Sequence, residues 1–362
     1  MLAAERRETS VRTPAPRSAW RSVLDASEEA TAYHTPEWLD AACETGGFED
    51  ASRLYESADG RQIVLPMLRR AGAIPALSAN WSMPSNWGFG GIVSSGRVDA
   101  RDVATALADL LATQSGRTIV KPGPLTRAAW AGAPARVRIP HLVHVVDLRG
   151  GFARLWSERM SSGTRNKLRK AEKSGVEIEW GTADSLLRVH YGLYLEWTRR
   201  RARERRIPLS VALRLARRRE PFARFEAVAR CLGDACRIGV ARVGNEPAAS
   251  TIILRRGGHA HYWRSANDRD RVGRTYANYL LLARALEESA AAGATYFHMG
   301  ESGGVPSLMQ FKDHFGAERY TYDECRFEQP LVANAVRLRE RLGQRAIALA
   351  AKGVALRSRP AR

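Results

Sequence analysis

The sequence predicts a mixed α/β (α+β) fold in tandem domains, each a mixed, mostly antiparallel sheet flanked by helices. Three observations lead there. A chain of 362 residues is longer than one ordinary core supports, so two domains of similar size are expected. Segments with helical periodicity alternate with short strand-like runs. The second half shows the order helix, three-strand meander, helix, strand, helix, strand, and the first half repeats it with little sequence identity. Hydrophobic residues make up 44% and charged residues 26%, which excludes a disordered chain. No apolar run approaches the ~18 residues of a membrane span, and nothing reads as a signal peptide.

Residues 1–17, charged and proline-rich, read as a disordered leader before domains over 18–155 and 156–330. "HTPEWLDAACETGG" is a helix capped by Thr35, with Pro36 at its first position and Gly46-Gly47 as its stop. "SRLYESADGRQIVLPMLRR" predicts two strands joined at Asp59-Gly60, and the aromatic loop "NWSMPSNWGFGGIV" follows. "DARDVATALADLLATQSG" is a helix with Ala104, Leu107, Leu110 and Leu111 on one face. "RTIVKPGP" and "HLVHVVDLRG" are strands. In the second half, "MSSGTRNKLRKAEKSG" is a capped basic helix, "VEIEWG" a strand, and residues 183–232 a long basic helical region. A meander with turns at Gly244-Asn245 and Gly257-Gly258 precedes "TYANYLLLARALEESAAAG", a helix ending at Gly293. "ATYFHMG" is a buried strand, a short helix opens from it, and "RYTYDECRFE" alternates as the last strand.

The net charge of +19 is unevenly placed. Residues 149–230 carry 21 Lys/Arg against 9 Asp/Glu, residues 331–362 carry 8 against 1, and the rest is neutral in sum. Two basic blocks beside neutral domains point to an anionic partner, whether tRNA, a phosphate-bearing substrate or a membrane surface; solvated helix faces are the plainer alternative. The tail from 331, with Arg337, Arg339, Arg341 and Arg345 among apolar residues, reads either as a basic membrane-surface segment or as a docking helix. Cys43, Cys231, Cys236 and Cys325 show no metal-ligand spacing, and unpaired thiols suit a reducing cytoplasm.

"TRNKLRKAEKSGVEIE", the meander, "TYANYLLLARALEESAAAGATYFHMG" and "FKDHFGAE", taken in order, resemble the FemABX-like branch of the GNAT acyltransferase superfamily. The resemblance covers roughly residues 160–325 and, more weakly, 33–150. It implies tandem GNAT-like domains and acyl transfer to an amino group of a cell-envelope or nucleotide-linked substrate. The donor it implies is acyl-CoA or aminoacyl-tRNA, with no metal. The acceptor is then a small molecule or lipid-linked, tRNA and an anionic membrane at the inner face are further partners, and DNA is not. It also places Phe311 and Lys312 beside the donor.

Acyl transfer to an amine needs a deprotonated amine, a stabilised oxyanion and a held donor, but no enzyme nucleophile. Lys312 is the candidate for donor charge or oxyanion; a lysine stem lying over Phe311 and Phe315 is the alternative. Glu301 and His298, at the end of the strand, are candidate bases, Tyr262 and Tyr276 are candidate proton donors to the leaving group, and Tyr276 is also a candidate donor-binding residue. "GESGG" misses the spacing of a nucleophile elbow, so Ser302 is not expected to attack. The stretch matching the GNAT pyrophosphate motif is "DRVGRT": Gly273 is in place, Asp270 stands at the Arg/Gln position, and Arg269, Arg271 and Arg274 flank it. Arg165 and Arg169 on the basic helix are candidate substrate contacts. A non-catalytic scaffold that binds RNA or an anionic membrane through its basic helices is the reading from another class.

Overall fold

The computed structural model describes residues 9–71, 78–113 and 115–328, so the basic tail from 331 lies outside the described residues. The first half runs β1 (Ser10–Arg12), α1 (Arg17–Asp25), α2 (Pro36–Gly46), β2 (Glu49–Asp50), β3 (Arg53–Glu56) and β4 (Gln62–Leu65). It continues through β5 (Leu68–Arg70), β6 (Ala79–Trp81), β7 (Val93–Ser94), α3 (Ala100–Ala112), β8 (Arg117–Val120) and β9 (Val137–Asp147). The second half opens with α4 (Gly151–Arg154), α5 (Ser162–Lys173), β10 (Val176–Gly181), α6 (Asp184–Glu204), α7 (Leu209–Arg219) and α8 (Phe222–Leu232). The meander β11 (Cys236–Val243), β12 (Glu246–Arg256) and β13 (His259–Asn267) leads to α9 (Arg269–Thr275) and α10 (Ala277–Ala291). β14 (Tyr296–Glu301), α11 (Pro306–His314) and β15 (Glu318–Glu328) complete it.

The fold is mixed α/β with mostly antiparallel sheets flanked by helices, as expected, but the halves do not keep separate sheets. One eleven-stranded sheet runs β10-β11-β12-β13-β14-β9-β15-β8-β6-β5-β2, beside a four-stranded sheet β1-β3-β4-β7. β9 of the first half pairs with both β14 and β15, and β15 returns between β9 and β8. The first-half helices and aromatic loop bury Trp20, Trp38 and Trp87 against Phe225 of α8 and Trp263 of β13 in one shared core. The opposite face of the meander carries α10, whose Leu282 and Leu286 pack with Phe297 and Phe315. The two halves are thus joined by hydrogen-bonded strands and a common core.

Local chemistry explains where the structure departs from expectation. Ser10–Arg12, inside the expected leader, forms β1 because the open edge of β3 offers it a ladder. Pro66, with no N–H to donate, splits the expected second strand, so β4 joins the small sheet and β5 the large one. Pro208 and Pro221 likewise cut the basic helical region into three helices. On α3 the buried face is Val103, Ala106, Leu107 and Leu110, and Leu111 is exposed, which shifts the face about one residue from the expected one. α2 starts as read: Thr35 accepts from Trp38 N, and Gly47 follows the helix in the left-handed region.

Candidate functional site

β13 and β14 run parallel but pair only over His259–His261 against Tyr296–His298. Beyond that point they part, and a cavity of about 420 Å³ opens between them. Both halves build its wall: Tyr33, Phe89 and Lys121 come from the first, and Tyr262, Trp263, His298, Glu301 and Lys312 from the second.

Lys312 is only 2% exposed, so it is not a surface lysine. It is held by an irregularity in β14. The register with β9 shifts between His298 and Gly300, and Gly300 takes φ +68°, which favours glycine. The carbonyls of Gly300 and Glu301 then accept from Lys312 Nζ at 2.8 and 2.9 Å. Burial pushes this ammonium down to about 8, against a smaller upward pull from Glu301. Two of its three N–H groups are used, which leaves one for a ligand.

Three donors converge on Oε1 of the Glu301 carboxylate: Lys121 Nζ at 2.7 Å, His141 Nδ1 at 3.1 Å and Tyr322 hydroxyl at 3.3 Å. Burial raises its pKa, but the His141 and Lys121 contacts outweigh that and hold it at about 2. A carboxylate so engaged has little affinity for a further proton, so it anchors Lys121 and His141 rather than acting as a free base.

His298 differs. Its Nε2 lies 3.0 Å from His259 Nδ1, and His259 Nε2 lies 2.9 Å from the carbonyl oxygen of Glu28. A carbonyl only accepts, so His259 carries its proton on Nε2. With both rings buried and held neutral by desolvation, the proton between them sits on His298 Nε2. His298 Nδ1 is therefore an unprotonated acceptor, and it has no partner among the described residues. His261 stacks on His298 at 4.4 Å between ring centroids, and its Nε2 is also unpartnered, as is Trp263 Nε1. Buried polar atoms are usually satisfied, so three orphans on residues of one cavity wall mark a place for a polar ligand.

The structure brings Lys312, Glu301, His298 and Tyr262 to this cavity. Burial raises the pKa of the Tyr262 hydroxyl, with Ser265 and Thr251 opposing. Phe311 lies outside the cavity wall, edge-on to Tyr279 and close to Phe315. The α9 candidates sit apart and are largely spent. Asp268 accepts from the N–H groups of Asp270 and Arg271, Arg271 pairs with Glu246 and Asp268, and Arg269 reaches Glu204. Gly273 and Arg274 are exposed, and Tyr276 takes φ +54° at the joint between α9 and α10. Arg165 donates to the carbonyls of Trp156 and Met160, tying down its own helix start, and exposed Arg169 bonds Asn166. Ser302 is buried, 3.4 Å from His144 Nδ1 and off the cavity wall.

Tyr33, Lys121, His259, His261, Trp263 and Tyr322 were missed as site residues. His259 and His261 carried a signal, since alternation on β13 puts both on one face. Tyr33, Lys121 and Tyr322 carried none, because only the shared core and the interleaved sheet bring them to the cavity between β13 and β14.

Splayed parallel strands here close on buried donors and acceptors, a cavity built for a polar ligand. Residues 158–320 match the family described as acetyltransferase (GNAT) domain. Among solved structures, FemX is similar at TM-score 0.63 with 9% identity, over 90% of this chain and 98% of its own. L-PGS from Bacillus licheniformis is similar at TM-score 0.50 with 14% identity, over 88% and 93%. The C-terminal domain of a putative lysylphosphatidylglycerol synthetase from Agrobacterium fabrum is similar at TM-score 0.50 with 12% identity, over 88% and 95%. No curated protein matches the chain. Residues 158–320 thus carry the match to a GNAT acetyltransferase domain, and over most of its length the chain has the fold of FemX.

Proposed function

We propose that this chain is an N-acyltransferase that moves an acyl group from acyl-CoA to an amine of a cell-envelope or nucleotide-linked substrate. The observation that carries the reading is the pairing, on one cavity wall, of an unpartnered buried acceptor, His298 Nδ1, with a buried ammonium, Lys312. His298 Nδ1 takes the proton of the incoming amine as the amine nitrogen bonds to the acyl carbon. The free N–H of Lys312 faces the oxyanion that forms there, in a site where little water weakens it. Tyr262, kept protonated by burial, gives its proton to the departing thiolate as the C–S bond breaks. His298 then returns the amine proton to Tyr262 through solvent, which closes the cycle.

The residues at the start of α10 suit a CoA pyrophosphate better than α9 does. The N-cap Tyr276 provides no side-chain cap, so the first N–H groups of α10 stay open. Exposed Arg274 precedes them, and Lys167 of α5 stands over the Tyr276 and Tyr279 rings. The test is thermal unfolding of the protein with acetyl-CoA, longer acyl-CoAs and aminoacyl-tRNA, followed by thiol release from the stabilising thioester with a panel of amino sugars and amino acids. A binder of the folded state raises the melting temperature by mass action. Stabilisation by an acyl-CoA with amine-dependent thiol release is the expected result. Stabilisation by aminoacyl-tRNA alone overturns the choice of donor, and no response to either overturns the reaction.

A further inference from the structure

The α6–α7 hairpin leaves exposed what a folded surface normally hides. Residues 203–210, spanning the end of α6, the connection and the start of α7, are all exposed, and they include Ile207 at 40% and Leu209 at 42%. Leu215 on α7 reaches 58%, and Trp197 on α6 reaches 38%. α7 buries only Ala216 fully. Arginines surround these apolar side chains. Arg199 and Arg200 are paired with Glu196 and Glu204, but none of the seven arginines from Arg203 to Arg219 makes an ion pair among the described residues.

The geometry points to this hairpin as a docking surface for an anionic lipid bilayer. On α7, Val211, Leu215 and Arg219 follow one another at intervals of four, and Arg214 and Arg218 form the adjacent row. An apolar row flanked by arginines, with an apolar tip at Ile207 and Leu209, is the pattern of a helix lying in the lipid headgroup layer. The aliphatic chains enter the acyl boundary, and the guanidinium groups stay among lipid phosphates. RNA satisfies only half of this pattern. It is held by cations and by aromatic rings that stack on bases, and it offers nothing to exposed Ile207, Leu209 and Leu215. The surface is also continuous with the cavity: Arg219, at the end of α7, lines it, and Glu220 beyond it pairs with Arg264 of the cavity wall. A chain docked by this face turns the cavity mouth toward the headgroups.

The experiment is sedimentation of the full chain with vesicles of phosphatidylcholine containing about a third phosphatidylglycerol, compared with pure phosphatidylcholine. Binding is expected only to the anionic vesicles. The double variant Ile207→Asp, Leu209→Asp is expected to lower it at least tenfold at physiological salt, with an unchanged melting temperature because both side chains are already exposed. Bromine-labelled lipid is expected to quench the fluorescence of the wild type more than that of Trp197→Phe. Three results overturn the proposal: no binding to anionic vesicles; binding that the double variant leaves intact, which assigns it to other basic segments; and tRNA binding that depends on the hairpin arginines where vesicle binding does not. None of these readouts uses turnover, so their outcome is separate from that of the acyltransferase assay.

Discussion

The turn from β14 into α11 and the short helix α9 both stand at the open end of the second half, and both carry cations that suggest an anion. They behave oppositely. At α9, Arg269 and Arg271 are exposed or half-exposed and already matched by Glu204, Glu246 and Asp268. At α11, a single lysine is buried against two carbonyls and leaves a donor over. Charge density is therefore a poor guide to availability. A lone charge taken out of water and left partly unpaired is the more informative feature.

The largest effect that sharpens this contrast is expected from Lys312→Met. If Lys312 is the oxyanion donor proposed above, its loss lowers kcat about 10²–10³-fold in thiol release. Two orphaned carbonyls also cost roughly 1–3 kcal/mol of stability, read by urea unfolding. His298→Asn is expected to lower kcat about 10²-fold with a small change in KM, and to remove the acidic limb of the pH profile. The alkaline side tests Lys312 again. Its ammonium titrates at about 8 in the fold, so activity falls as pH rises through that value. The unfolded chain keeps the proton up to the ordinary value of 10.5, so stability gains with pH between about 8 and 10.5 in the wild type but not in Lys312→Met. The smallest effect is expected from Arg271→Ala: stability within about 0.5 kcal/mol and less than a twofold change in KM for acetyl-CoA, as for a surface pair. A large rise in that KM breaks the comparison and returns the pyrophosphate to α9.

Many elements of both halves were legible because their signals are local. The Thr35 and Ser161 caps, the glycine turns of the meander and the alternation of β15 each act within a few residues. Lys312, Glu301 and His298 were legible too, since a charged or polar residue at the end of a buried strand stands out. Their division of labour was not. Glu301 reads as a base until Lys121, just past β8, and His141 and Tyr322, on β9 and β15, arrive, and His298 gains its fixed tautomer only from a carbonyl 270 positions earlier, that of Glu28. The exposed apolar and basic surface of α6 and α7 was half visible. The arginine runs showed in the sequence, but which leucines are left uncovered depends on what packs behind the helices.

The interleaving of β14, β9, β15 and β8 bears on how the chain is made. β8 and β9 leave the ribosome with open edges that only residues 318–328, nearly two hundred positions later, can pair. The first half therefore cannot finish folding as an independent unit during synthesis, and those edges need shielding until the last strand arrives. Cutting the gene between the halves would yield two fragments that must find each other before either becomes soluble, whereas permuting the chain at the α6–α7 tip would leave the interlock intact.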